Sequence, residues 1–268
     1  MIYLNHQLGK RKLIMKFELK GYVFEFKPVK RSAIIDLMIN YHYLHRAVNT
    51  KYAYGLFADN ELKGMITYTT PRLNLARSIS DEANLDNTLE LSRLYIKDEI
   101  SQSVPNITSR FVSWTLRDLK EQGNWFIISF ADTSMGHVGS IYQATNFLYT
   151  GTTKSGMLCY NGPFKQGGTW VKGVHYRFLL IRSIKHRYIK FVGDRQFQKW
   201  AKKDLKLDIV PHPHGIGAHY EVGDVETRFI KDRKTGHIYT EAQLLRSFPD
   251  YDWDNQDWDT DDINTPSN

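Results

Sequence analysis

Four side chains that often take part in catalysis lie close together near the middle of the chain: Asp132, His137, Tyr142 and Tyr149. A carboxylate and an imidazole can exchange protons, and a phenol can donate a hydrogen bond or stack on a ring. Each residue also has a simpler explanation, since Asp132 could only cap a helix and His137 could only fill a turn. Because all four occur in one short stretch, we favour a site.

The elements around these residues support that interpretation. Residues 125–131 are apolar and β-branched, which predicts a buried strand. A short amphipathic helix over 140–146 and a second strand over 147–151 follow. The four side chains therefore gather at the carboxyl end of a buried strand, where α/β sheets bind their ligands.

Two histidines, His42 and His45, close a helix that the spacing of apolar residues predicts to begin near residue 30. Three positions apart, they can share one helical face and bind a metal ion. Alternatively, they are partly exposed side chains at a helix end, where a histidine suits the helix dipole.

Arg93 lies within a predicted strand over 88–96. A buried arginine needs a partner, because an unpaired buried charge is costly. The partner is either a nearby acid such as Glu90 or an anionic ligand. The next helix, predicted over 110–122, follows the segment 105–109, whose backbone N–H groups would suit a phosphate or a carbonyl.

The net charge is +7, and the charge is distributed unevenly. Nine basic residues and two acids lie between Arg182 and Lys206, whereas no basic residue follows Arg246. A basic body indicates a polyanionic partner, most often nucleic acid, although a solvated face is the simpler alternative. The helix predicted over 194–205 also carries Phe197 and Trp200, which either anchor it to the body or stack on nucleic acid. The residues expected to contact DNA are Lys185, Arg187, Lys190, Arg195, Lys199, Lys202 and Lys203.

The 268 residues, 41% of them hydrophobic, suffice for a large domain with an appendage. The predicted order of strands and helices indicates an α/β (α+β) protein whose mixed central sheet carries helices on both faces. We expect a catalytic domain over 1–182, a basic DNA-contacting extension over 183–206, a hairpin–helix appendage over 207–248, and an acidic disordered tail over 249–268. No apolar run is long enough for a membrane span, and the single cysteine fits the cytoplasm.

Several of these segments resemble the Mom family of phage DNA-modification proteins, a divergent branch of the Gcn5-related acyltransferase (GNAT) fold. The similarity runs from about residue 22 to 192. The segments that carry it are 41–45, 89–94, 105–109, 129–133, 136–139, 141–149 and 185–188.

The resemblance implies that the N6 amino group of adenine in double-stranded DNA is converted to a methylcarbamoyl (acetamido-type) adduct, which protects phage DNA from restriction in the host cytoplasm. The adenine would be flipped out of the duplex. The resemblance implies catalytic roles for Asp132, Tyr142, Arg93, His42, Ser109 and Tyr149. It implies substrate contacts for His45, Asn106, His137, Asn146 and Tyr54.

The donor of the transferred group stays open between acetyl-coenzyme A and an aminoacyl species. Acyltransferases of this fold hold the coenzyme A pyrophosphate with a glycine-rich turn, and residues 101–109 contain no glycine. The resemblance also implies an iron ion, for which His42 and His45 are the expected ligands if they are not acid–base groups. The oligomeric state is open, a homodimer included.

Two other functions compete with DNA modification. A conventional acyl-CoA-dependent N-acetyltransferase would act on a small amine or a protein, bind coenzyme A tightly and lack affinity for DNA. A non-catalytic DNA-binding protein would keep its biological effect when Asp132 is replaced.

Overall fold

The structure, a computed structural model, describes residues 2–4, 13–163, 176–215 and 228–253. These residues divide into two compact units. The first comprises residues 1–152 and 185–223, and the second comprises residues 153–184 and 224–268.

The strands are numbered along the chain. They are β1 Ile2–Leu4, β2 Leu13–Leu19, β3 Tyr22–Pro28, β4 Tyr52–Ala58, β5 Glu61–Thr69, β6 Thr88–Ile96, β7 Trp125–Asp132, β8 Leu148–Thr152, β9 Gly156–Cys159, β10 Phe178–Arg182, β11 Lys185–Val192, β12 Phe229–Asp232 and β13 Ile238–Thr240.

The helices are also numbered in chain order. They are α1 Arg31–Asp36, α2 Leu73–Arg77, α3 Asp98–Ser101, α4 Ile107–Lys120, α5 Ser140–Ala144, α6 Arg195–Lys203 and α7 Glu241–Ser247, with a π turn over Leu37–Tyr41 and a 3₁₀ turn over Thr133–Met135. No helix in these described ranges is both long enough and apolar enough to cross a membrane.

The first unit contains a nine-stranded sheet in the order β1-β2-β3-β4-β5-β6-β7-β11-β8. Neighbouring strands are antiparallel except β6 and β7, which are parallel because α4 carries the chain back between them. The α4 side chains Phe111 and Trp114 pack with Ile127 on one face of the sheet. On the other face Phe126 packs with Ala201 of α6. The predicted mixed sheet with helices on both faces is confirmed.

Local sequence explains the turn that joins β4 to β5. Asp59 and Asn60 both adopt left-handed backbone conformations, with φ of 49° and 68°. Asn and Asp tolerate this region better than other non-glycine residues, and it is the backbone that a two-residue hairpin requires.

The predicted helix that was to carry His42 and His45 on one face is wrong. After α1 the chain forms the π turn, which ends at Tyr41, and His42 is already extended (φ −77°, ψ 135°). His45 has φ of +43° and is exposed, whereas His42 is buried. The wider π turn ends the helix before either histidine, so the helical spacing does not apply to them.

The second unit contains a four-stranded sheet in the order β13-β12-β10-β9, with α7 packed on one face. A capping box between Thr240 and Gln243 starts α7. Inside the unit Asp232, which is fully buried, accepts two hydrogen bonds from Arg177, at 3.1 Å from Nε and 2.9 Å from Nη2.

The domain boundaries expected from the sequence need correction. Strands β9 and β10 were expected within the catalytic domain and instead form the second sheet with β12. The segment expected to be a basic extension begins with β11, which pairs with β7 along its whole length, from Lys185 opposite Asp132 to Val192 opposite Trp125. The segment 183–192 predicts a strand or a pair of turns, and the structure shows that it is a strand of the central sheet. The end of the acidic tail, residues 254–268, lies outside the described residues.

Candidate active site

Strands β6 and β7 diverge at the point where the sheet opens into a cavity. Their parallel pairing runs only from Thr88 opposite Phe126 to Leu91 opposite Ser129, although both strands continue beyond it. The Ser129 hydroxyl donates to the Leu91 carbonyl at 2.9 Å and closes the narrow end of the opening. On the other side of β6 the register with β5 shifts beside Ser92. This bulge turns the following residues toward the opening.

A cavity of about 390 Å³ occupies this opening. Its wall is formed by β6, the end of β7, the turn before α5, the starts of α3 and α4, and the segment after the π turn. The lining residues that carry polar groups or rings are His42, Tyr43, Ser92, Arg93, Tyr95, Asp98, Ser101, Thr108, Phe130, His137, Ser140 and Tyr142.

His42 lies in the cavity wall as a neutral ring. Its Nδ1 accepts a hydrogen bond from the Leu44 amide at 3.2 Å, which assigns the ring proton to Nε2. Burial, with a smaller contribution from the Arg93 cation, lowers its pKa to about 3. His42 is therefore a hydrogen-bond donor at neutral pH, and the general-base role considered from the sequence does not suit it.

Tyr43 is a cavity residue that the sequence reasoning missed. Its ring stacks on His42 at 4.5 Å between centroids and meets His137 edge-on at 5.7 Å. Burial, and then the Asp132 charge, raises the pKa of its hydroxyl well above the usual range. The signal in the sequence was that Tyr43 directly follows His42. In the helix predicted there, however, the side chains of consecutive residues point in different directions.

Arg93 is only 6% exposed and lines the cavity. Its Nη1 donates to the Ser92 carbonyl at 2.6 Å. Its Nε and Nη2 are buried and have no hydrogen-bond partner. Burial lowers the pKa of the guanidinium to about 10, so the group stays cationic at neutral pH. Arg93 is thus buried in its strand, as the sequence predicts.

Tyr142 and Gly139 form the wall opposite β6. Burial raises the pKa of Tyr142 to about 12, so its phenol is protonated at neutral pH. Gly139 has φ of +72°, and a Cβ there would lie 2.4 Å from the Tyr188 ring. The Tyr188 hydroxyl donates to the Val138 carbonyl at 2.6 Å, which holds this turn against the sheet.

Asp132 lies at the end of β7 and is not among the lining residues. It caps the 3₁₀ turn by accepting from the Ser134 amide at 3.1 Å and hydroxyl at 2.7 Å, and it pairs with Lys185 at 3.4 Å. Asp132 therefore caps a helical turn, as its simpler explanation from the sequence predicts. The negative charge of Asp132 nevertheless acts on a cavity residue, because it raises the pKa of Tyr43.

Three expected substrate contacts lie elsewhere. The Tyr54 hydroxyl donates a hydrogen bond to the buried carboxylate of Asp118 in α4, at 2.8 Å. Asn146 is an exposed turn residue with φ of +58° whose carbonyl accepts from Lys190. His45 points its Nδ1 at the Ile39 carbonyl, 2.8 Å away, and is exposed. None of these three residues lines the cavity.

The segment before α4 also differs from the expectation. Ser109 donates its hydroxyl to the Asn106 carbonyl at 2.9 Å, and Asn106 is exposed, with left-handed backbone. Thr108, one residue earlier than Ser109, is the hydroxyl of this turn that lines the cavity.

Tyr149 belongs to a neighbouring aromatic cluster and does not line the cavity. Its hydroxyl lies 2.8 Å from Nδ1 of His186, and its ring contacts Tyr188 at 5.2 Å. Tyr188 in turn contacts Tyr142 at 5.1 Å. Tyr149 therefore supports the Tyr142 wall from behind.

The basic residues expected to contact DNA fall into two groups. In β11, Lys185 pairs with Asp132, Arg187 bonds to the hydroxyl and carbonyl of Thr150 at 2.9 Å each, and Lys190 donates to the Thr145 and Asn146 carbonyls. These three side chains therefore bind groups of the first unit itself. The exposed basic side chains of α6 are Arg195, Lys199, Lys202 and Lys203.

The α6 aromatic residues anchor the helix. Phe197 meets Phe126 edge-on at 5.3 Å, and Trp200 meets it at 6.1 Å while remaining 41% exposed. The basic face of α6 is therefore held in a fixed orientation on the sheet.

The residues present fit an iron ion poorly. A histidine ligand needs a free ring lone pair, yet the Nδ1 lone pair of His42 is taken by the Leu44 amide and Nε2 carries the proton. His45 is exposed and bonded through Nδ1. In the part of the chain that the structure describes, no group of three or more His, Cys, Asp or Glu residues is arranged to hold a metal. Iron stays a prediction from the resemblance.

Known proteins resemble this chain over about two thirds of its length. The chain is 28% identical over 191 residues to the methylcarbamoylase Mom of Escherichia phage Mu, covering 64% of this chain and 76% of that protein. Among solved structures, an N-acetyltransferase from Staphylococcus aureus matches with a TM-score of 0.40 and 11% identity over 63% of this chain and 98% of its own. A ribosomal-protein-S5-alanine acetyltransferase from Vibrio fischeri gives 0.39 and 12% over 66% and 97%.

The model of the Mom protein family matches residues 23–214, which span the cavity, every strand from β3 to β11 and helix α6. The chain belongs to the Mom protein family.

Proposed function

We propose that this protein is a transferase that attaches a methylcarbamoyl group to the N6 amino group of adenine in DNA, and thereby protects phage DNA from restriction. The observation that carries the proposal is the cavity between β6 and β7, where His42, Tyr43, Arg93 and Tyr142 converge. The relation to a methylcarbamoylase of phage Mu supports the nature of the group.

The acceptor explains why the cavity is lined with rings. The N6 lone pair of adenine is delocalised into the ring, and in a duplex the group is paired. The enzyme must therefore flip the base into a pocket. The Tyr43 ring, fixed between His42 and His137, offers an aromatic surface on which a flipped base can stack.

Neutral His42 is proposed to donate a hydrogen bond to the carbonyl oxygen of the methylcarbamoyl group and so to orient that group toward N6. A fixed N–H donor in a buried wall is worth more than in water, and it needs no reorganisation during the reaction. The protonated phenol of Tyr142 can act in the same way.

Asp132 is proposed to take the proton that N6 loses. Since its carboxylate does not line the cavity, we propose Tyr43, on whose hydroxyl its charge acts, as the relay. Lys185 pairs with the Asp132 carboxylate at 3.4 Å.

Coenzyme A fits this site poorly. The segment that would hold its pyrophosphate contains no glycine, Asn106 occupies the left-handed turn position, and Asp98 lines the cavity beside it. We favour a small donor other than acetyl-coenzyme A.

Mass spectrometry of nucleosides from plasmid DNA tests the proposal after expression of the protein in bacteria. We expect a deoxyadenosine heavier by one methylcarbamoyl group in place of hydrogen. Tyr43→Phe should reduce its yield at least about tenfold, as loss of a proton relay does. Tyr22→Phe, outside the cavity, is the matched control and should leave the yield unchanged.

Other outcomes separate the alternatives. Unmodified deoxyadenosine in cells with soluble wild-type protein would overturn the proposal. An acetylated protein or small amine, with unchanged DNA, would establish the conventional acetyltransferase instead.

A further inference from the structure

Arg93 lines the cavity, and its guanidinium carries two unsatisfied donors. Its side chain is 94% buried, as the 6% exposure implies, and Nη1 is occupied by the Ser92 carbonyl. Nε and Nη2 are buried without a hydrogen-bond partner. A buried cation with two unpaired N–H groups is costly, so such a group is expected to have a ligand.

The charges around Arg93 do not replace that ligand. The Glu90 carboxyl interacts electrostatically with Arg93, but it makes no hydrogen bond to Nε or Nη2. Burial raises the pKa of Glu90, which weakens it as a counterion. Arg46 adds a second positive charge nearby. None of these groups forms a hydrogen bond to Nε or Nη2 of Arg93.

The two free donors define the shape of the ligand. Nε–H and the adjacent Nη2–H lie on one edge of the guanidinium and point in parallel, which matches the two oxygens of a carboxylate. A single neutral carbonyl would occupy one donor and leave the charge unbalanced. Ser101 adds a buried hydroxyl without a partner to the same cavity wall. It can bond to a polar group elsewhere on the same ligand.

We propose that the co-substrate sharing this cavity with adenine is a small molecule with a free carboxylate, anchored by Nε and Nη2 of Arg93. The inference rests on the proposed function and names the class of its second substrate. The carboxylate is an anchor, and no bond is made or broken at it. A coenzyme A thioester lacks such a group at its reacting end.

Pairs of ligands that differ only in charge test the inference on the intact wild-type protein. Acetate is compared with acetamide, and glycine with glycinamide, by titration while the Nε–H signals of arginine are followed in ¹⁵N NMR spectra. The Arg93 signal is identified by its absence from the Arg93→Lys variant. We expect each acid to bind at least about tenfold more tightly than its amide and to shift the Arg93 signal.

Arg93→Lys keeps the charge and loses the parallel donors. In this variant, the preference for acid over amide should fall to about threefold or less. Equal binding of acids and amides to the wild type, or a shift caused only by inorganic phosphate or coenzyme A, would overturn the inference. The wild-type titration decides the question even if the variant fails to fold.

The deoxyadenosine assay separates this inference from the proposed function. Carboxylate binding at Arg93 with unmodified DNA would leave the anchor standing and remove the function. Modified deoxyadenosine, together with equal binding of acids and amides, would support the proposed function and refute the carboxylate anchor.

Discussion

His42 shows how burial determines the chemical state of a single side chain. Its imidazole is 4% exposed, its Nδ1 accepts from a backbone amide, and the Arg93 cation acts on it. Each of these favours the neutral ring. A residue that would titrate near pH 6.5 in water is therefore a constant donor across the physiological range.

Stability at mildly acidic pH should depend on His42. Between its ordinary pKa of 6.5 and its folded pKa of about 3, the unfolded chain binds a proton at this position and the folded protein does not. The folded state is thus destabilised as pH falls through this window, by about 2 kcal/mol at pH 5, and is unaffected above it. Urea unfolding at pH 7 and pH 5 should show a smaller loss for His42→Gln than for wild type. His214→Gln, at an exposed position, is the control, and equal losses in all three proteins would refute this account.

Gly139 sets the distance between the α5 turn and the sheet. A Cβ there meets the Tyr188 ring at 2.4 Å, whereas Gly151, which also has positive φ (+79°), has nothing within 4 Å of an added Cβ. Gly151→Ala should cost about 1 kcal/mol, from backbone strain alone. Gly139→Ala adds overpacking and should cost about 2–4 kcal/mol in total. Denaturant midpoints measure both, and identical losses would show that the contact with Tyr188 is unimportant.

At the scale of elements, the cavity exists because two parallel strands stop pairing before they end. The α4 crossover makes β6 and β7 parallel, the bulge beside Ser92 bends β6, and Ser129 closes the apex. Helix α6 lies on the other face of the same sheet, anchored through Phe126. The element that exposes basic charge is thus distinct from the strands that form the site.

The exposed lysines of α6 should supply sequence-independent DNA affinity. Replacing Lys199, Lys202 and Lys203 together by Gln should lower the affinity and reduce the slope of log K against log salt by about 0.9 for each phosphate that is no longer neutralised. The control replaces Lys20, Lys30 and Lys120, which are exposed on other elements, with the same change in net charge. Fluorescence anisotropy with duplex DNA at several salt concentrations measures both variants. Equal effects would mean that net charge alone, rather than the α6 face, binds DNA.

At the scale of the whole molecule, the chain forms two units that are interleaved in sequence. Residues 153–184 leave the first unit and residues 185–223 return to it. Each unit has its own sheet and its own buried cluster, with Tyr160, Phe178, Ile230 and Leu244 at the centre of the second.

The pair between Arg177 and Asp232 should stabilise the second unit specifically. Removing one member of a buried, doubly hydrogen-bonded pair costs about 3 kcal/mol or more. Asp232→Asn should therefore increase amide hydrogen exchange in β10 and β12, while protection in β6 and β7 persists. Asp250→Asn, at an exposed site of the same unit, is the control. Equal loss of protection in both sheets would show that the two units unfold together.

Several elements can be predicted from local signals in the sequence. The hairpin at Asp59–Asn60, the buried strand β7, helix α4 and the capped helix α6 follow from turn chemistry, alternation and spacing. Arg93 and Tyr142, which the sequence predicts as site residues, both line the cavity.

Which polar residues come together depends on the packing of segments that are distant in the chain. Tyr54 and Asn146 resemble site residues in sequence, but partners far along the chain, Asp118 and Lys190, engage them. Tyr43 entered the cavity because a π turn replaced an α-helical one. Residue type and spacing fix local backbone preferences, whereas hydrogen-bond partners and burial depend on contacts between distant segments, which composition and periodicity do not encode.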